Sequence, residues 1–139
     1  MRMDIQTILT VLRADDKEWE WDDAWDKLYS IDPSYRSELP LLRETLTDPS
    51  PSVRIFALKA LARIGGDLDA AMPDVIPLLK DREQDVRAEA TKVLKQFGQH
   101  CASTAVPALR QLANDGDAFL TVRLRALVAL LKLKRYSHG

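Results

Sequence analysis

Apolar and polar residues follow a helical period along most of the chain. In residues 53–64, apolar side chains recur at spacings of three and four, which is typical of a helix with one buried face. They are Val53, Phe56, Ala57, Ala60, Leu61 and Ile64. A similar pattern predicts a helix from about Ile5 to Arg13. The whole pattern predicts about eight helices and no strand.

Prolines and glycines indicate where these helices begin and end. Pro40, Pro73 and Pro107 fall near the predicted starts of helices, where a missing N–H costs little. Pro77 lies further inside its helix and should bend it. Gly65 follows a helix and suits a left-handed residue after its last turn.

The sequence repeats itself at an offset of 33 residues. Identical residues stand at both members of eight aligned pairs: Pro40, Leu46, Asp48, Val53, Arg54, Ala57, Leu61 and Gly65, each with its counterpart 33 positions later. A third copy restarts at Ala105, and a degenerate copy precedes the others. We therefore predict a single repeat domain over residues 1–139, with repeats at about 1–33, 34–66, 67–99 and 100–135.

The repeated motif has three parts. They are a proline in the first helix, Leu-Leu-x-Asp at its end, and Val-Arg-x-x-Ala-x-x-x-Leu at the start of the second. This combination resembles the HEAT-repeat family, and most closely the short repeats of phycobilisome-lyase-type proteins. The resemblance implies an all-α fold, a right-handed α-α superhelix or HEAT-like solenoid of about four helical hairpins. It also implies that the second helices line a concave side.

The second helices carry basic residues on their polar side: Lys59, Arg63, Lys92, Lys95 and Lys132. On the solenoid that the resemblance implies, they would make a basic concave face that could bind an acidic protein segment. The alternative is a solvated face without a ligand. Arg54, Arg87 and Arg123 recur at one repeat position, and the resemblance implies that they pair with turn acids of neighbouring repeats.

Both ends of the chain offer further candidate surfaces. Trp19, Trp21 and Trp25 are all the tryptophans and lie among acidic residues, so they either close the end of the stack or form a binding hot spot. The last helix is apolar on more than one face, at positions that include Leu124, Leu127, Val128 and Leu131. Either the tail around Tyr136 covers these residues, or they form an end-on interface, which includes the option of a homodimer.

Charge and composition narrow the classes of function. Net charge is −1, which disfavours nucleic acid as a ligand of the whole molecule. Charge is unevenly distributed, however: residues 1–33 hold nine acids and four bases, a balance of −5, which leaves +4 for the rest. One cysteine and two histidines are too few for a disulfide or for common zinc sites. We expect no catalytic residue, metal or cofactor, no membrane span, and a cytoplasmic location.

The leading hypothesis is therefore a non-enzymatic scaffold or adaptor that binds a protein or peptide through its concave face or its ends. The first alternative is an accessory subunit of a bilin lyase, which only the repeat subtype implies. The second is a DNA-binding protein similar to the HEAT-like DNA glycosylases. Both of those classes are generally longer than 139 residues.

Overall fold

The computed structural model describes residues 4–14, 24–65, 70–97 and 102–137, with side chains as far as residue 133. Within these ranges, all regular secondary structure is helical. The chain divides into two compact units, Met1–Gly66 and Asp67–Gly139. The division coincides with a predicted boundary between repeats.

The first unit begins with α1 (Ile5–Arg13), whose N-terminus is capped by Asp4. The Asp4 carboxylate accepts the Gln6 N–H at 3.0 Å and the Thr7 hydroxyl at 2.9 Å. The predicted bounds of α1 are confirmed. The helical elements of this unit are α1 (Ile5–Arg13), α2 (24–28), a 3-10 helix (Pro33–Glu38), α3 (Leu39–Thr45) and α4 (Pro51–Ile64).

Helix α4 is the centre of the first unit. Its apolar face, which includes Phe56 and Leu61, is completely buried. It packs against α3 and α1, so α3 and α4 form a helical hairpin that α1 covers. Gly65 ends α4 with φ of 64°, and its N–H donates to the Leu61 carbonyl at 3.1 Å, as the sequence predicts.

The second unit contains two helical hairpins. Its elements are α5 (Met72–Val75), a 3-10 helix (Ile76–Lys80), α6 (Gln84–Phe97), α7 (Ala102–Ala113) and α8 (Leu120–Ser137). The 3-10 helix packs on α6, and α8 packs on both α7 and α6. A glutamine side chain links the hairpins: Gln84 donates to the Asp117 carbonyl at 3.0 Å and accepts the Phe119 N–H at 2.9 Å.

Two prolines lie within helical segments of the second unit. Beside Pro77, α5 ends at Val75 and the 3-10 helix begins at Ile76, while the bend itself stays a prediction. The position expected for Pro107 is wrong: α7 starts at Ala102, so Pro107 lies inside the helix. Pro107 and Ser103 are both exposed, so water can solvate the Ser103 carbonyl that the proline leaves without a helical donor.

Candidate partner-binding surfaces

Helix α8 leaves a row of apolar side chains in contact with solvent. The four residues predicted as an end-on interface, Leu124, Leu127, Val128 and Leu131, are between 46% and 68% exposed. The other side of the helix, which includes Val122, Ala126 and Leu133, is buried. Because a helix turns about 100° per residue, these two sets occupy opposite sides of α8. One side therefore supplies core packing and the other has no cover among the described residues.

The row extends beyond the four predicted residues. Leu120, at the start of α8, is 66% exposed, and Phe119 just before it is 62% exposed. Leu120, Leu124, Leu127 and Leu131 follow spacings of four, three and four, which are the spacings of helix–helix interfaces. That spacing could have identified Leu120 from the sequence. We call Leu120, Leu124, Leu127, Val128 and Leu131 the α8 stripe.

Basic residues border the α8 stripe on one side. Arg125 and Lys132 are exposed, lie seven residues apart, and have no ion-pair partner among the described residues. Arg123 is half-buried instead, and its Nε donates to the Ala113 carbonyl at 3.2 Å. From Ala118 onward the sequence holds five bases and no acid. The stripe is therefore apolar in its centre and positive along one edge.

The residues predicted to form a basic concave face differ in their surroundings. Lys92 and Lys95 are exposed and one helical turn apart on α6, and Lys132 is exposed on α8. Lys59 on α4 is half-buried. A binding role for these lysines stays a prediction.

Arg63 takes part in packing within the first unit. Its Nε donates to the Ile31 carbonyl at 3.1 Å, and Nη2 donates to the Tyr29 carbonyl at 2.8 Å. The guanidinium also lies 5.4 Å from the centroid of the Tyr29 ring. These contacts hold the segment that follows α2 against α4, so two of the five N–H donors of Arg63 already have a structural use.

The tryptophan cluster is described only at its last member. Trp25 is half-buried, and its ring lies 5.8 Å from that of the buried Phe56, at an interplanar angle of 57°. Part of this side chain therefore packs on the core of the first unit. Trp19 and Trp21 lie outside the described residues, as does Cys101.

The recurring arginines bind the backbone of the turn within their own hairpin. Arg54 is 5% exposed, and its Nη1 donates to the carbonyls of Asp48 at 2.8 Å and Pro49 at 3.0 Å. Arg87 donates in the same way to the Asp81 carbonyl.

Arg87 also lies 3.5 Å from the Asp115 carboxylate, in the turn of the following repeat. That pair is of the kind that the HEAT resemblance implies. The backbone contacts were not predicted.

The described ranges give no sign of a metal site or a membrane span. No group of three or more His, Cys, Asp and Glu residues in them is placed to hold a metal ion. None of their helices is long and apolar enough to cross a bilayer.

Comparison with protein families decides the assignment of the repeats. The family model for HEAT repeats matches residues 38–131, which is more than half of the 139 residues. This chain belongs to the HEAT-repeat family. The predicted all-α fold class is thereby confirmed, since HEAT repeats imply a helical solenoid. No curated protein and no solved structure matches the chain. The match is to HEAT repeats in general, and the phycobilisome-lyase subtype stays a prediction.

Proposed function

We propose that this HEAT-repeat protein is a non-enzymatic scaffold or adaptor that holds a protein partner on the α8 stripe. HEAT repeats generally mediate protein–protein interactions. The observation that carries the proposal is the exposure of five large apolar side chains along one side of α8. Contiguous apolar surface of this kind marks interaction sites, because burying it against a partner removes it from water.

The other two candidate surfaces have weaker support. Arg63 already binds two carbonyls of its own unit, which weakens the case for a continuous basic face. Trp25 packs on Phe56, which favours a structural use for at least this member of the tryptophan cluster. Lys92 and Lys95 are exposed and could form a second contact region. The single cysteine is consistent with action in the reducing cytoplasm.

The bilin-lyase and DNA-binding alternatives make distinct predictions. An accessory lyase subunit would change the absorbance of a free bilin on mixing, and we expect no such change. A DNA-binding protein would retain duplex DNA in 0.2 M salt. We expect no retention, because a chain with net charge −1 offers little attraction to phosphates.

A site-specific crosslinking experiment tests the proposal. A photo-crosslinking amino acid replaces Leu127 in the full chain, expressed in its native cell. Arg110, which is exposed on α7, receives the same replacement as a matched control. We expect discrete crosslinked proteins from position 127 and not from position 110. Identical crosslink patterns from the two positions would contradict the proposal, because the α8 stripe would then be no more engaged than an ordinary exposed site.

A further inference from the structure

The charges beside the α8 stripe indicate which kind of protein it holds. Resting on the proposed function, we infer that the α8 stripe binds an amphipathic α-helix of another protein, and that this helix carries acidic residues along one edge of its apolar face. The inference combines the spacing of the stripe with the sign of the charges that border it.

The spacing of the stripe favours a helix as its occupant. Leu120, Leu124, Leu127 and Leu131 recur at four, three and four residues, so they keep to a narrow line along the helix axis. Two helices that pack at a small crossing angle present such lines to each other. Between Leu120 and Leu131 the line runs about 17 Å, or about three turns, which matches a partner helix of three to four turns.

The bordering charges favour an acidic partner. Arg125 and Lys132 lie on the same side of α8 as Val128 and are exposed. Their long side chains can reach the edge of a helix that is packed on the stripe. Carboxylates on that edge would pair with them, whereas cations there would be repelled. From Ala118 onward the sequence holds no Asp or Glu, so α8 itself contributes no acid to this edge.

The same charges disfavour a second copy of this chain as the occupant. A two-fold pairing of α8 helices would bring together two segments that each hold five bases and no acid. The homodimer would bury the same leucines but would set like charges against each other. A partner with acids on its edge would bury the same leucines and would also pair its carboxylates with the bases beside the stripe.

An anionic lipid surface is also a weaker candidate. On α8, as far as its side chains are described, Arg125 and Lys132 are the exposed cations, and attraction to an anionic surface grows with each added base. The chain as a whole is negative, at −1. The opposite side of α8 is buried against α6 and α7, so the helix cannot rotate or detach to enter a bilayer without losing that packing.

Three synthetic peptides with the full chain provide the test. Each forms a helix of four turns with leucines at the spacing of the stripe, and they differ only at the edge positions, which carry Glu, Gln or Lys. Fluorescence anisotropy measures their dissociation constants. We expect the Glu peptide to bind about 3- to 10-fold more tightly than the Gln peptide, the gain from two exposed charge pairs. The Lys peptide should bind most weakly.

Variants of the chain separate the two contributions. The double change Arg125→Glu and Lys132→Glu should reverse the order of the Glu and Lys peptides. The double change Leu124→Ser and Leu131→Ser should abolish binding of all three peptides. Arg110→Glu, a matched charge reversal on α7, should leave the order and the affinities unchanged. All these positions are exposed, so circular dichroism should report the same helix content for every variant.

Four outcomes would overturn the inference. Equal binding of the Glu and Gln peptides would show that acidic residues on the partner helix do not matter. If no peptide binds at 100 µM, the stripe does not bind an amphipathic helix. The third outcome is a dimer of the chain at low micromolar concentration, and the fourth is retention on phosphatidylserine vesicles. If the Leu124→Ser and Leu131→Ser variant loses the dimer, the stripe binds a second copy, and if it loses the retention, the stripe binds lipid. Crosslinking from position 127 reports separately on the proposed function.

Discussion

At the scale of single residues, Gly65 adopts a backbone conformation that glycine can adopt because it has no Cβ. Its φ of 64° and ψ of −149° are almost restricted to glycine. A Cβ there would meet no atom closer than 3.9 Å, so the cost of a side chain is torsional rather than steric. We expect Gly65→Ala to lower the free energy of unfolding by about 1–2 kcal/mol, measured by urea denaturation.

Gly116→Ala is the matched control for that change. Gly116 also has free space around it but lacks the positive φ. Its replacement should alter stability by no more than about 0.5 kcal/mol, or raise it slightly by restricting the unfolded chain. Equal destabilisation by the two alanines would show that φ at Gly65 is not the cause.

Arg54 and Arg123 provide a graded test of the backbone contacts. Arg54 is buried and binds two carbonyls, whereas Arg123 is half-buried and binds the Ala113 carbonyl at the longer distance of 3.2 Å. Methionine retains the apolar stem but cannot donate. We expect Arg54→Met to cost about 2–3 kcal/mol of unfolding free energy, because two carbonyls of a part-buried turn would lose a charged donor that is itself buried. Arg123→Met should cost less than half of this in the same denaturation assay. An equal or larger cost would show that the buried carbonyl contacts of Arg54 are not the cause.

These arginines also show how far the sequence predicts single contacts. Their recurrence at one repeat position predicted a structural role, and the contacts of Arg54 and Arg87 agree with it. The carbonyl partners could not be predicted, since a carbonyl has no side-chain signature and its direction depends on the turn. The contacts of Arg63 with the segment after α2 were missed for the same reason.

At the scale of elements, Gln84 links the start of α6 to the loop between α7 and α8. Its side-chain amide binds one N–H and one carbonyl of that loop. We expect Gln84→Leu to accelerate amide exchange at Phe119 by about 10-fold, because the N–H loses its acceptor and the loop opens more readily. Stability should fall by only about 1 kcal/mol, since water can reach the exposed groups.

Gln96→Leu is the control for the loop prediction. Gln96 is an exposed residue near the end of the same helix. Its replacement should leave the exchange rate at Phe119 unchanged in the same NMR measurement. If Gln84→Leu also leaves that rate unchanged, the loop is held by other contacts.

The helices themselves were more predictable than their exposed faces. The hydrophobic period predicted α1 and α4, because local torsions dominate there. The start of α7 was misplaced, since a proline near an exposed carbonyl is tolerated inside a helix. The apolar excess of α8 predicted an uncovered surface, and Leu124, Leu127, Val128 and Leu131 are indeed exposed there. Leu120 was missed, although it lies at the same helical spacing.

At the scale of the whole molecule, the 33-residue offset predicted the repeats, and the family match to residues 38–131 confirms their type. The chain position that divides the two compact units is a predicted repeat boundary. The partner could not be predicted in the same way. Packing within a repeat constrains many positions at once, whereas a binding surface is constrained only by a molecule that the chain does not encode.

If the α8 stripe binds an acidic helix, raising the salt concentration should weaken the binding of that helix and strengthen any self-association of the chain. Raising NaCl from 0.05 to 0.5 M shortens the range of charge interactions from more than about 10 Å to a few ångströms. Attraction between Arg125, Lys132 and the Glu peptide should weaken, so its dissociation constant should rise several-fold. Repulsion between two α8 helices should weaken as well, so any self-association seen by sedimentation should increase with salt. The Gln peptide, which lacks the charges, should change little. A Glu peptide that binds more tightly at high salt would contradict the acidic edge, because screening strengthens a charge interaction only where the charges repel each other.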